Sequence, residues 1–255
     1  MGHTMKVVAI VQARMNSSRL PGKVLMPLAN KPVLAHIVER LSYCKLVGNI
    51  LVATSHEDSD NPIAQYCKNN NINYYRGSLN DVLDRYYQAA KSCNAESILR
   101  ITGDCPAIDP VVVDAIIAGY LSNAYDLYGL GGEFPDGLDC TVFSFTALAK
   151  AWKDAKLQSE REHVCPYIEN NPQLFRNGRL ELFRGLEKQR WTLDVPEDYR
   201  LLCKVFDKLY REDTPFLTHE ILQFIQKNPN LAVINSKIVR NEGYLKSLEE
   251  DKNKK

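Results

Sequence analysis

Lys6-Val7-Val8-Ala9-Ile10-Val11-Gln12 runs directly into Ala13-Arg14-Met15-Asn16-Ser17-Ser18-Arg19-Leu20-Pro21-Gly22-Lys23, and the reading of this stretch decides the fold. The first part is a short apolar, β-branched run, the pattern of a strand. The second carries cations at 14, 19 and 23 among two serines and a Pro-Gly pair. A triphosphate bears several charges on closely spaced oxygens, so it requires fixed cations and backbone N–H donors converging at one end of a sheet. A cationic loop leaving a strand meets that need. The plainer alternative is a solvated turn, since Arg and Lys are common in loops and Pro-Gly makes turns. Two familiar phosphate loops fail here. Walker A requires Gly at 17 and Ser or Thr at 24, where Ser17 and Val24 stand, and no Gly-x-Gly-x-x-Gly occurs.

Outward from this stretch the first half alternates strand and helix signals, which predicts an α/β fold of three layers, α/β/α, with a mostly parallel sheet. Leu34, Ile37, Val38 and Leu41 mark one face of a helix that Pro32 can start. Residues 49–54 read as a strand, 60–70 as a helix, 72–75 as a strand, and Leu83, Tyr86, Tyr87 and Ala90 as a further helical stripe. A strand at 97–102 and a helix carrying Val113, Ile116, Ile117 and Tyr120 complete the unit near residue 123. Ligands of such sheets bind at the carboxyl ends of the strands.

Beyond Ala124 the glycines at 129, 131, 132 and 137 predict a loop-rich region, followed by a strand at 140–143 and helices at 145–155 and 160–170. A strand near 180–183 and a helix with Leu202, Val205, Phe206 and Leu209 close the fold. One domain is expected over 1–245, with halves at about 5–123 and about 124–245. Residues 246–255 read as a charged, frayed tail. Met1-Gly2-His3-Thr4 ahead of Met5 is consistent with an expression scar.

The 255 residues suffice for a substantial core, and a formal charge of +1 supplies no global field for nucleic acid or anionic lipid. No window approaches the roughly 18 apolar residues of a membrane span, so a cytoplasmic protein is expected. Seven scattered cysteines without a Cys-x-x-Cys pair indicate neither a zinc knuckle nor a disulfide framework.

Two acids stand at the exits of apolar runs. In Arg100-Ile101-Thr102-Gly103-Asp104-Cys105-Pro106, Gly103 allows close backbone approach and Asp104 lies too far upstream to cap the helix that Asp109 and Pro110 begin. In Trp191-Thr192-Leu193-Asp194-Val195-Pro196-Glu197-Asp198-Tyr199, capping of the helix at Pro196 competes on even terms with a functional role for Asp194.

The run from Ala13 to Lys23 resembles the signature Ala-Arg-x-x-Ser-x-Arg-Leu-Pro-Gly-Lys of the cytidylyltransferases that activate acidic sugars, the CMP-KDO and CMP-sialic acid synthetase superfamily. Within it the nearest match is the SpsF-type spore coat polysaccharide biosynthesis group. The resemblance spans roughly 6–210 and implies a Rossmann-like nucleotide-diphospho-sugar transferase fold. It further implies transfer of cytidylyl from CTP to an acidic sugar or related acceptor with release of pyrophosphate, for cell-surface or spore-coat polysaccharide synthesis, by a homodimer whose half at about 5–123 binds the nucleotide and whose half at about 124–245 binds the sugar and dimerises. Gln12, Ala13, Arg14, Arg19 and Lys23 would then hold the nucleotide, with Arg14, Lys23 and Asp104 catalytic. Gly-Asp-x-Pro and Asp-x-Pro-Glu-Asp elements assign Mg²⁺ to Asp104 and Asp194, a ligand set that suits a hard ion.

Arg76, Ser78 and Asp81 resemble the segment beside the base, although Ser78 and Asp81 are equally candidates for helix capping. Arg100 and Gly103 complete the expected nucleotide set. Asp136, Asp139, Arg161, Glu162 and His163 match blocks assigned to the sugar acceptor. Asp58-Ser59-Asp60 offers a competing metal-dependent glycosyltransferase reading, though its polar setting favours a helix start. A non-catalytic nucleotide-binding protein is the third reading.

Overall fold

In the computed structural model, which describes residues 7–253, Val7–Gln12 forms β1. Five of its six residues are buried because the strand is covered on both faces, so its sequence does not alternate. The cationic loop follows, then a hairpin of β2 (Pro27–Leu28) and β3 (Lys31–Pro32). Next come α1 (Val33–Ser42), β4 (Val47–Ser55), α2 (Asn61–Asn69), β5 (Asn73–Gly77), α3 (Val82–Ser92), β6 (Ser97–Thr102) and α4 (Pro110–Ser122). The second half contains β7 (Leu127–Gly131), β8 (Thr141–Ser144), α5 (Phe145–Asp154), α6 (Gln158–His163), α7 (Pro166–Glu169) and β9 (Asn177–Glu181). It ends in α8 (Pro196–Leu209), α9 (Thr218–Lys227), α10 (Pro229–Ala232) and α11 (Glu242–Asn253).

Seven strands form one sheet in the order β5-β4-β1-β6-β8-β7-β9. Only β8 runs against its neighbours. From β1 the chain builds outward through β4 and β5, then returns to place β6 on the other side of β1. That reversal makes the carboxyl ends of β1 and β6, where Gln12 lies opposite Thr102, the topological switch point. One core lies under α1, α2, α4, α8 and α9, and the other under α3, α5 and α7, which gives the expected three layers. Among the described residues no helix is long and apolar enough to cross a membrane.

Several elements differ from the sequence reading. The region expected to be loop-rich contains β7, whose glycines are steric requirements: a Cβ at Gly131 would lie 2.9 Å from Arg179 Cβ, and one at Gly129 would lie 3.0 Å from Thr141 Oγ1. The helix expected over 160–170 is two helices, separated by Val164 at φ 70° and ψ −56°. Cys165 N donates to His163 O at 2.8 Å, closing a strained γ-turn that Pro166 then ends. The strand expected at 180–183 is β9, three residues earlier. The expected frayed tail is instead largely α11: buried Asp251 accepts from Gln158 N at 3.0 Å and so caps α6. Lys6 and the segment Met1-Gly2-His3-Thr4 lie outside the described residues.

Candidate active site

The cationic loop is folded around one carbonyl. Met15 O accepts from Ser17 N at 3.0 Å and Gly22 N at 2.8 Å, and Gly22 adopts φ 74°, a conformation that needs glycine. Lys23 then opens a 3-10 turn and points back beneath the loop. The loop's base is pinned by Asp60, which is fully buried and accepts from Met15 N at 2.7 Å, Ser55 N at 3.1 Å and the Ser55 hydroxyl. The Asp-x-Asp metal reading of Asp58 and Asp60 therefore fails, because the Asp60 carboxylate is committed to holding the loop. Its side chain does not cap α2 either.

At the switch point Gly103 N donates to Gln12 O at 2.8 Å, and a Cβ on Gly103 would lie 2.7 Å from that oxygen. The close approach read from sequence is thus a contact between β1 and the turn after β6. It brings Asp104 under the loop, where Lys23 Nζ donates to Asp104 Oδ2 at 2.9 Å and to Asp194 Oδ1 at 2.6 Å. Burial would lower the Lys23 pKa, but these two carboxylates outweigh it and hold the ammonium above its ordinary value. Burial likewise opposes ionisation of Asp104, yet Lys23 and the Thr102 hydroxyl bring its carboxyl down to about 2. Ion pairing keeps both groups charged at neutral pH.

The two acids are joined through backbone as well. Asp104 O accepts from Leu193 N at 2.8 Å and from the Thr192 hydroxyl at 3.2 Å, which ties the turn after β6 to the extended segment before α8. Asp194 does not cap α8. Asp198 takes that role, accepting from Asp194 N at 2.9 Å and Val195 N at 3.2 Å. This leaves the Asp194 carboxylate available for Lys23 and for Arg19, whose Nη2 lies 3.1 Å from Asp194 Oδ2. Two carboxylates converging on one point supply oxygen donors that could hold magnesium together with phosphates and water, and the Lys23 ammonium lies between them.

Sequence reasoning missed the support beneath Asp194. Arg190 Nε and Nη2 each donate to Asp198 at 2.9 Å, Arg190 Nη1 donates to Asp136 Oδ2, and buried Asn235 donates to Asp198 Oδ1 at 2.9 Å. Arg190 lies 54 residues from Asp136 and 8 from Asp198, so only Asp198's position in the first turn of α8 offered a signal. Asp136, expected to face the acceptor, is buried against Arg190, and burial with the neighbouring Asp139 charge raises its carboxyl to about 7. Asp139 lies nearer the rim and accepts from Gly137 N at 3.0 Å.

The remaining expected residues divide. Arg14 is exposed on the loop, and Ala13 is buried beside it. Gln12 Oε1 and Arg100 Nε are buried at the strand ends without a hydrogen-bond partner among the described residues. Arg76, expected near the base, is used structurally: it donates to Ser55 O at 2.8 Å, Glu57 O at 2.9 Å and Asn61 Oδ1 at 2.7 Å. Ser78 accepts from Asp81 N at 3.0 Å and Asp81 caps α3 through Asp84 N at 2.9 Å, so the capping alternative describes both.

Arg161 pairs with Asp81 and donates to Trp152 O at 2.6 Å, rather than opening toward an acceptor. Glu162 and His163 meet α11: Ser247 Oγ lies 3.2 Å from Glu162 Oε2 and 3.1 Å from His163 Nε2, and Tyr244 packs edge-on against the imidazole. Burial lowers the His163 pKa, and the Arg100 and Arg14 charges add to that against Glu162.

The family model described as cytidylyltransferase matches residues 8–238. An uncharacterised protein of Methanocaldococcus jannaschii is 40% identical over 245 residues, covering 94% of this chain and 98% of its own. The spore coat polysaccharide biosynthesis protein SpsF of Bacillus subtilis is 32% identical over 234 residues, covering 89% of this chain and 96% of its own. Among solved structures, a cytidylyltransferase from Leptospira borgpetersenii aligns with a TM-score of 0.85 at 34% identity, covering 92% of this chain and 100% of that one.

Proposed function

Because the chain belongs to the cytidylyltransferase family and is a nucleotidyltransferase, we propose that it transfers cytidylyl from CTP to an acidic sugar or related acceptor, in a Mg²⁺-dependent reaction that releases pyrophosphate. The observation that carries this reading is the Lys23 ammonium bridging Asp104 and Asp194 at the switch point, beneath a loop that also bears Arg14 and Arg19. In this reading the acceptor oxygen forms a bond to the α-phosphorus of CTP, the bond to the pyrophosphate oxygen breaks, and the acceptor loses its proton.

The protein's contribution is positioning and charge stabilisation rather than covalent catalysis. Arg14 and Lys23 bind phosphate oxygens and offset charge at the reacting phosphorus, and Arg19 steadies the leaving pyrophosphate. Asp104 and Asp194 hold Mg²⁺, which when bound neutralises and orients the phosphates. Gln12 Oε1 and Arg100 Nε are buried polar groups that lack hydrogen-bond partners among the described residues, and a bound substrate would satisfy them. We assign the chain to cell-surface or spore-coat polysaccharide synthesis in the cytoplasm, acting as a homodimer.

The test is a matrix of nucleoside triphosphates against acidic sugars and sugar phosphates with Mg²⁺, read by pyrophosphate release. Pyrophosphate formed from CTP with one acceptor class supports the reading. Release of a nucleoside diphosphate from a nucleotide sugar, with no pyrophosphate from any pair, would replace it with glycosyl transfer.

A further inference from the structure

The last helix, α11, meets the cationic loop at one end and α6 at the other. At its N-terminus Glu242 Oε2 accepts from Arg19 Nη1 at 2.6 Å, while the other face of the same guanidinium pairs with Asp194. Further along, Ser247 meets Glu162 and His163, and Asp251 caps α6. These two attachments differ in kind. Ser247 and Asp251 are buried, whereas Glu242 is exposed and sits between Asn241, at φ 57°, and Gly243, whose absent Cβ would have nothing within 4 Å. Asparagine and glycine are the residues that most readily change backbone region, so the first turn of α11 can move while the rest stays anchored.

Charge favours that motion. A triphosphate arriving at Arg14, Arg19 and Lys23 brings several negative charges to a guanidinium already shared by two carboxylates. Asp194 is compensated there by Lys23 and Arg190, and Glu242 has only Arg19 among the described residues. We propose that Glu242 is an internal anion competing with the nucleotide's phosphates for Arg19, so that nucleotide binding detaches the first turn of α11. This turn lies next to His163 through Tyr244, so its release alters the wall beside α6 once the nucleotide is in place. The inference rests on residues 12–23 being the triphosphate loop.

The experiment measures CTP binding with Mg²⁺ by calorimetry for the wild type, Glu242→Gln and Glu249→Gln, together with amide exchange of the wild type. Glu249 is exposed on the same helix and serves as the charge control. An exposed ion pair is worth up to about 1 kcal/mol, so Glu242→Gln is expected to bind CTP about two- to fivefold more tightly, with Glu249→Gln unchanged. CTP is expected to speed exchange at Leu245, whose amide bonds Asn241 O, while amides near Asp251 keep their protection. Normal wild-type binding with equal affinity in Glu242→Gln, or with Leu245 more protected, overturns the proposal alone. Equal tightening by Glu249→Gln also overturns it, as a general charge effect. No CTP binding by the wild type overturns it together with the proposed donor.

Discussion

Replacing Asp198 by Asn separates stability from catalysis at this site. Asp198 is fully buried and accepts five hydrogen bonds, two from Arg190 and one each from Asp194 N, Val195 N and Asn235. Asparagine keeps the shape but removes the charge and turns two donors toward groups that are themselves donors. Breaking a buried ion pair by removing one partner costs about 3–5 kcal/mol. Arg190 retains Asp136 and a longer contact to Asp194 at 3.4 Å, which places the cost near the lower end. At roughly 2–4 °C per kcal/mol for a chain of this size, a loss of about 3 kcal/mol lowers the midpoint by about 6–12 °C. Asp194→Asn is the matched comparison. Its side chain is 21% exposed, and a partly screened pair is worth under about 1 kcal/mol, so its midpoint falls by less than about 4 °C. Turnover should behave the other way, because the proposed role of Asp194 is to hold the magnesium ion, and Asp194→Asn is expected to lose at least about a hundredfold. Thermal unfolding followed by circular dichroism, beside pyrophosphate release, measures both. A midpoint for Asp198→Asn within about 2 °C of wild type would refute the assignment of Asp198 and Arg190 as the support of Asp194.

Lys23→Ala and Asp104→Asn should each lower turnover by at least about a hundredfold with the far-ultraviolet dichroism intact, and near-normal pyrophosphate release in both would sink the site assignment. Gly103→Ala should push the turn after β6 away from Gln12 O, destabilise by about 1–3 kcal/mol and raise the KM for CTP; an unchanged urea midpoint would show that the contact relaxes freely. The pH dependence follows from the Asp104 carboxyl, held at about 2 against 3.8 when unperturbed. A depressed carboxyl stabilises above its unfolded value and loses that contribution as pH falls toward its folded value. Lys23, raised above 10.5, contributes fully below that value. The stability difference between wild type and Asp104→Asn should therefore hold constant from about pH 5 to 9 and shrink from about pH 4 to 2 in urea titrations; a change across neutrality would contradict the pairing.

The first half of the fold was legible in sequence because its rules are local. β1, β4, β6 and the helices between them follow apolar runs and helical spacing, and the loop from Gln12 to Lys23 announces itself by cations after a strand. Lys23, Asp104 and Asp194 do meet. What escaped depends on contacts between distant segments. Asp60 looked like a helix start or a metal ligand until Met15 and Ser55 claimed its carboxylate. β7 was concealed by glycines that make room for Arg179 and Thr141 on neighbouring strands. The acidic residues of α11 suggested solvent, whereas Asp251 is buried because the exposed amides of another helix need an acceptor. Arg161, Glu162 and His163 form a chemically suggestive block, yet most of their polar atoms join α6 to α3 and α11.

The carbonyl of Asp104, bonded to Leu193 N and the Thr192 hydroxyl, has a wider consequence. The polypeptide departs from this point and comes back to it 88 residues later, so the intervening chain is a closed excursion clamped at its neck. Under the proposed reading, reshaping that excursion would alter the acceptor's surroundings while the backbone bonds at the neck keep the two aspartates in place, so that donor chemistry and acceptor choice would be separable.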